Sequence, residues 1–342
     1  MSHEVESMFY VGEVPWHGLG KPITEGKQYS IAEGIVDSGL DWEVGLLPLS
    51  VAEGNMLYWR DGKIVEGDPV PEELVGAKAK RFNTVRLSDN SILGNVGPIW
   101  RPLQNRVAFD FFQPFLEAGE AELHTAGSLF GGAKVWVLAK LNRDPIVVGK
   151  DDNIVKFILL SNSHDGTTSI RVGFTPIRTV CANTLAMAHN NEFSQLIRIR
   201  HTGQTEGTLE KVRELMDTAN ARFEATAEQY KVLANSNVAS QKDLVKYIKV
   251  VLGAKENAKG ELPTRTLNII ASIVENFDGG GDGGELMPDG STWWRAYNAI
   301  NTRLNHTIGR SRETRMGSLW FGANANTNEK ALATAVKFAT NA

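Results

Sequence analysis

Apolar positions recur at two spacings along the chain, and the change between them divides it. Up to roughly residue 205 they fall in short runs broken by Gly, Asn, Asp and Pro, the pattern of strands and turns. Trp42 to Leu49 and Met56 to Trp59 read as strands, and Asp61-Gly62 as a tight turn into Lys63-Ile64-Val65. Phe82 to Leu87 and Ile92 to Val96 flank Ser88-Asp89-Asn90-Ser91 as a hairpin. Glu122 to Leu129 and Lys134 to Leu141 surround Gly131-Gly132, a turn needing positive φ. Ile154 to Leu160 and Thr168 to Phe174 flank His164-Asp165-Gly166. Two helices interrupt this part: Ser30 to Leu40 with Ser30 as N-cap, and Val107 to Leu116, rich in Phe and ended by Gly119. An antiparallel sheet of hairpins carrying a helix is predicted for residues 40–175.

Beyond Val180 the apolar residues recur every three or four positions. Cys181 to His189 reads as a short helix and Leu209 to Leu233 as a long one. Helices are also predicted from Ser240, over Thr264 to Phe277 and Thr292 to Leu304, and over Ala331 to Ala342. The expected fold is α+β, with a mainly antiparallel β-rich part carrying a packed helix (1–205) and a helical part (206–342). The Gly/Asp-rich stretch 278–285 reads as a linker: its carboxylates lack the alternating ligand spacing of a calcium loop.

Charge changes this picture more than composition does. The net charge is −4. Residues 1–97 hold 15 acidic and 8 basic side chains, whereas 291–342 hold 2 acidic and 7 basic. A basic end on an acidic protein suggests a polyanionic partner, or equally a solvated face. A single cysteine leaves no internal disulfide and no cysteine-rich zinc site. No apolar run has the length of a membrane helix and the first ten residues do not resemble a signal peptide, so a cytoplasmic protein with no membrane partner is expected.

Phosphate loops, dinucleotide glycine fingerprints, paired-histidine zinc motifs and nucleophile elbows are all absent from the sequence. Neither a metal nor a cofactor is expected, and no catalytic residue is assigned. The richest constellation is arginine-centred. Arg171, Arg178, Arg198 and Arg200 cluster in one region, and the alternation Arg198-Ile199-Arg200 puts two of them on one strand face about 7 Å apart, a spacing suited to successive phosphates. Arg310, Arg312 and Arg315 form a second group. Trp320, between Gly317 and Gly322, is the stacking candidate. Trp293, Tyr297 and Leu304 have the spacing of an inner helix stripe, which would make them core. Cys181 stands in an apolar stretch typical of a buried thiol. Asp165 suits turn chemistry beside His164.

Four stretches carry a resemblance: Pro15-Trp16-His17-Gly18-Leu19-Gly20, Gln104-Asn105 before the Phe-rich helix, Asn162 to Gly166, and Thr175 to Leu185. In this order the chain resembles the phage/plasmid-like protein family carrying domain of unknown function 932. The resemblance implies a mobile-element protein acting in the cytoplasm of a bacterial host, and carries no established activity. Together with the arginines it leads to an expected function: binding of nucleic acid, single-stranded DNA favoured, in recombination or replication and extending to strand annealing, with homo-oligomer formation a further expectation. Two alternatives stand beside it. One is an enzyme acting on nucleic acid or nucleotides with His164, Asp165, Cys181 and Asn183 around a pocket. The other is a protein-interaction or host-takeover module.

Overall fold

A computed structural model describes residues 5–12, 20–24, 26, 29–60, 63–142, 144–148, 153–178, 197–203, 207, 209, 227–257, 259–280, 288–308 and 323–340. Its centre is one large sheet built from β1 (Val5–Val11), β2 (Lys21–Ile23), β8 (Ala121–Leu129), β9 (Lys134–Leu141), β10 (Ile146–Val147), β11 (Asn153–Ser163), β12 (Ile170–Arg178) and β13 (Ile197–Ile199). The spatial order is β13-β12-β11-β9-β8-β1-β2, with β10 paired to β11. Every pairing is antiparallel except β1 with β2. Gly131 and Gly132, at φ +62° and +89°, close the β8–β9 turn as their spacing predicts.

Both faces of this sheet are covered. Phe9, Val137, Ala139, Ile158 and Leu160 pack on the helices α1 (Ile31–Asp37), α2 (Asn105–Asp110) and α3 (Gln113–Glu117) through Ile31, Ile35, Phe109 and Phe112. Met8, Tyr10, Trp136, Leu138 and Leu159 on the opposite face meet the C-terminal helices α4 (Gln241–Leu252), α5 (Thr264–Phe277), α6 (Trp293–Thr302) and α7 (Ala323–Thr340). Two covered faces explain why β9 is apolar at every position from Val135 to Ala139 instead of alternating. Capping fixes the helix starts: Ser30 forms a capping box with Glu33, and Ser240 and Thr292 accept from the backbone N–H of Asp243 and Arg295.

The chain is α+β, with mostly antiparallel sheet in its N-terminal part and helices mainly in its C-terminal half. Three details depart from the sequence pattern. Residues 40–175 do not make one sheet: β3 (Val44–Ser50), β6 (Lys78–Arg86) and β7 (Ser91–Val96) form a separate three-stranded sheet, and β4 (Asn55–Arg60) with β5 (Lys63–Pro69) a two-stranded one. The central sheet instead recruits β1, whose partner β8 lies more than a hundred residues away. The Phe-rich helix is broken into α2 and α3, because Pro114 has no N–H to continue the ladder from α2. The closing helix starts at Ala323, earlier than expected. The Asp61-Gly62 turn, the helix at Cys181 to His189 and most of Leu209 to Leu233 lie outside the described residues; of the last, 227–235 are helical.

A shared core predicts unequal costs for equal truncations. Leu159→Ala, at a fully buried position, is expected to lose about 2–5 kcal/mol in urea unfolding. Leu267→Ala, where the side chain is 49% exposed, should change stability by less than about 0.5 kcal/mol.

Candidate nucleic-acid interface

The β11–β12 hairpin organises the edge of the central sheet. Register places Ser161 opposite Arg171 in β12, and Arg171 opposite Arg198 in β13. Directly opposed residues in an antiparallel pair hold their Cβ atoms about 5 Å apart, so the two guanidinium stems rise side by side from one face. Ser161 is buried, Arg171 half-buried and Arg198 exposed, so cover thins across these three strands. Burial pulls the Arg171 guanidinium below its ordinary pKa, and the nearby Arg198 charge pulls it the same way. Two residues on from Arg198, Arg200 is exposed as well, and Ile199 between them is buried. Neither Arg198 nor Arg200 forms an ion pair with any described residue.

Further cations lie beside this pair. Arg101 approaches it through the backbone: its N–H donates to the carbonyl of His201 at 2.7 Å, while its guanidinium donates to the Pro98 and Trp100 carbonyls. Lys134, opposite Ser163 on the same face, is held by Asp165 at 3.3 Å and by the Thr167 hydroxyl at 2.5 Å. Burial lowers the Lys134 pKa, Asp165 opposes that shift, and Arg171 adds to it. Neither Arg101 nor Lys134 could be picked from sequence, since only tertiary pairing brings them here.

The other face of the same hairpin anchors it. His164 is fully buried, and its Nε2 lies 2.9 Å from Asn105 Oδ1. Asn105 Nδ2 donates to the carbonyls of Leu40 at 3.1 Å and Trp42 at 3.3 Å, which turns Oδ1 toward the histidine and assigns the proton to Nε2. The Trp42 ring lies 5.3 Å from the imidazole. Burial pushes the His164 pKa down to about 3, with His201 lowering it further and Asp165 opposing. Burial would raise the Asp165 carboxyl, but donors from Ser163 and Thr167 hold it below its ordinary value. The Thr167 hydroxyl and backbone N–H donate to Asp165 at 2.6 and 2.9 Å, which is the turn chemistry expected of Asp165. Close above, β7 passes so near that a Cβ on Gly94 would stand 2.4 Å from Asp165 Cα. The turn is thus clamped between β7, α2 and β9.

The remaining candidates distribute as follows. Arg178 ends β12, seven residues from Arg171 and so roughly 23 Å along the strand. Arg310, Arg312, Arg315, Trp320, Cys181 and Asn183 lie outside the described residues. Trp293, Tyr297 and Leu304 are core, at 2%, 1% and 3% exposure, as their spacing indicates. Arg295 donates to the carbonyls of Phe277 and Pro288, and Arg303 to the Ser272 hydroxyl, so both serve helix packing. Among the described residues no three His, Cys, Asp or Glu side chains group as metal ligands, and no helix is long and apolar enough to cross a membrane.

A family model described as a domain of unknown function (DUF932) matches residues 92–331, which takes in the hairpin, the arginine edge and most of the C-terminal helices. Neither a curated protein nor a solved structure matches the chain.

The buried histidines give stability a defined pH dependence. His164, falling to about 3 in the folded state from an ordinary value of 6.5, binds a proton more readily when unfolded. Its contribution is fully present above pH 6.5 and is lost as pH falls from there toward 3. His124, lowered by burial to about 4, acts in the same direction. The urea midpoint of the wild type should therefore fall steadily below pH 6.5, and less steeply for His164→Gln; equal slopes would remove His164 as a source.

Proposed function

The chain belongs to the DUF932 family, and from that premise we propose that it binds single-stranded nucleic acid, DNA by preference, along the β12–β13 edge. The observation that carries the reading is the register that sets Arg171 against Arg198, with Arg200 two residues on. Opposed guanidinium groups concentrate positive charge at this edge, where a polyanion laid across them gains most. Guanidinium groups suit this task because each presents a fork of donors matched to phosphate oxygens. Strand spacing of about 5 Å and residue spacing of about 7 Å give a grid of positive charge suited to the phosphates of one flexible strand.

The acidic surface elsewhere works in the same sense. Residues 1–97 carry a balance of −7, from 15 acidic and 8 basic side chains, which repels a polyanion from that part of the chain. Contacts to phosphate position a strand without reading its sequence, so binding is expected to be indifferent to base order. The stretches that resemble phage and plasmid proteins support reading this activity as part of the recombination or replication of a mobile element in a bacterial cytoplasm, with annealing of complementary strands as its downstream use. On this reading His164 and Asp165 are framework: they hold the β11–β12 hairpin whose next strand bears the arginines.

Arg198→Ala with Arg200→Ala should weaken binding of a labelled single-stranded oligonucleotide by about 10-fold or more at low salt, uniformly across sequences. Arg106→Ala removes another exposed arginine, which faces Asp110 at 3.6 Å on α2, and should leave affinity unchanged. Equal affinity of the double variant and the wild type would remove the proposal's main support.

A further inference from the structure

Exposed apolar side chains are concentrated in one part of the molecule. Leu47, Leu57, Ile64, Leu74, Leu87 and Ile92 all belong to the β3–β7 region. Within it the β4–β5 hairpin is the extreme case, a two-stranded sheet with no third strand among the described residues. Hairpins of this kind are marginally stable in water unless one face is covered. One face of this one is partly covered by its own tyrosine. Tyr58 lies opposite Val65, and a Cβ on Gly67 would fall 1.9 Å from the Tyr58 ring, so the glycine lets that ring lie flat across the neighbouring strand. The other face carries Leu57, opposite Glu66, and Ile64, two residues along from Glu66 on the same side. Both apolar side chains are 66% exposed.

The charge around this face selects its occupant. Residues 51–75 hold six acidic side chains (Glu53, Asp61, Glu66, Asp68, Glu72, Glu73) against two basic ones, a balance of −4. A nucleic acid is excluded by that sign, and a second hairpin of the same kind would set acid against acid. The complementary charge lies on the chain itself: Arg198 and Arg200 on the β13 edge are exposed, while Ile199 between them turns inward to the core. We propose that the β4–β5 hairpin of one copy docks on the β13 edge of a second copy, Leu57 and Ile64 lying against the aliphatic stems of Arg198 and Arg200 while Glu66 and Asp68 meet their guanidinium groups. Because the two surfaces differ, the contact is head-to-tail, and copies added in series close into rings or extend as filaments.

The contact uses two of the arginines assigned to nucleic acid, and its test is run without nucleic acid so that the two readings fail separately. Sedimentation velocity of the full chain, followed over a hundredfold range of concentration, should show species growing with concentration at low salt and shrinking as salt rises. Leu57→Ser with Ile64→Ser should weaken association at least tenfold while leaving oligonucleotide affinity in place. Arg198→Glu with Arg200→Glu should also yield monomers, and adding Glu66→Lys and Asp68→Lys to that variant should restore association. A wild-type chain that stays monomeric at low salt throughout, or association that survives either double substitution, would overturn the proposal.

Discussion

Burial of β9 and β11 on both faces is the constraint from which the rest of the structure follows. Leu138 and Leu159 face the C-terminal helices while Val137, Ala139, Ile158 and Leu160 face α1, α2 and α3. At the margin of these strands two polar side chains have defined partners. Asn162 donates to the Leu103 carbonyl at 2.9 Å, and Lys134 pairs with Asp165. Buried polar groups held this way fix register more than they add stability. The hairpin joining β11 to β12 is accordingly clamped from three sides, and the strand beyond it inherits a fixed position.

Charge is thereby pushed to the margins of the fold. Cover falls away from β11 through β12 to β13, and the cations appear in that order: half-buried Arg171, then exposed Arg198 and Arg200. At the opposite extreme of sign, the small β4–β5 sheet gathers carboxylates around an uncovered apolar face. One molecule thus presents a basic edge suited to a polyanion and an acidic, apolar hairpin suited to a basic protein surface. Separation of this kind lets an acidic chain keep a local concentration of positive charge, because screening confines each patch to about a Debye length.

The local features were legible in the sequence and the long-range ones were not. Gly131-Gly132 and His164-Asp165-Gly166 marked their turns, and Ser30, Ser240 and Thr292 marked helix starts, because each acts within a few residues. The spacing of Trp293, Tyr297 and Leu304 correctly indicated core. By contrast β1, Val-Glu-Ser-Met-Phe-Tyr-Val, has no strict alternation, and its pairing with the distant β8 is tertiary. The sequence placed Arg198 and Arg200 on one face, yet nothing local indicated that Arg171 would stand directly opposite Arg198. Asn105 could likewise be noticed beside its Phe-rich helix, but its hydrogen bond to His164 spans 59 residues. That bond belongs to tertiary structure.

The account rests on the arginine edge being a phosphate site, and the most direct measurement is fluorescence anisotropy of a labelled single-stranded oligonucleotide titrated with the full chain across a salt series. Three phosphate contacts, from Arg171, Arg198 and Arg200, predict log affinity falling linearly with log salt at a slope of about −2. Absence of binding at low salt, or an affinity indifferent to salt, would contradict it.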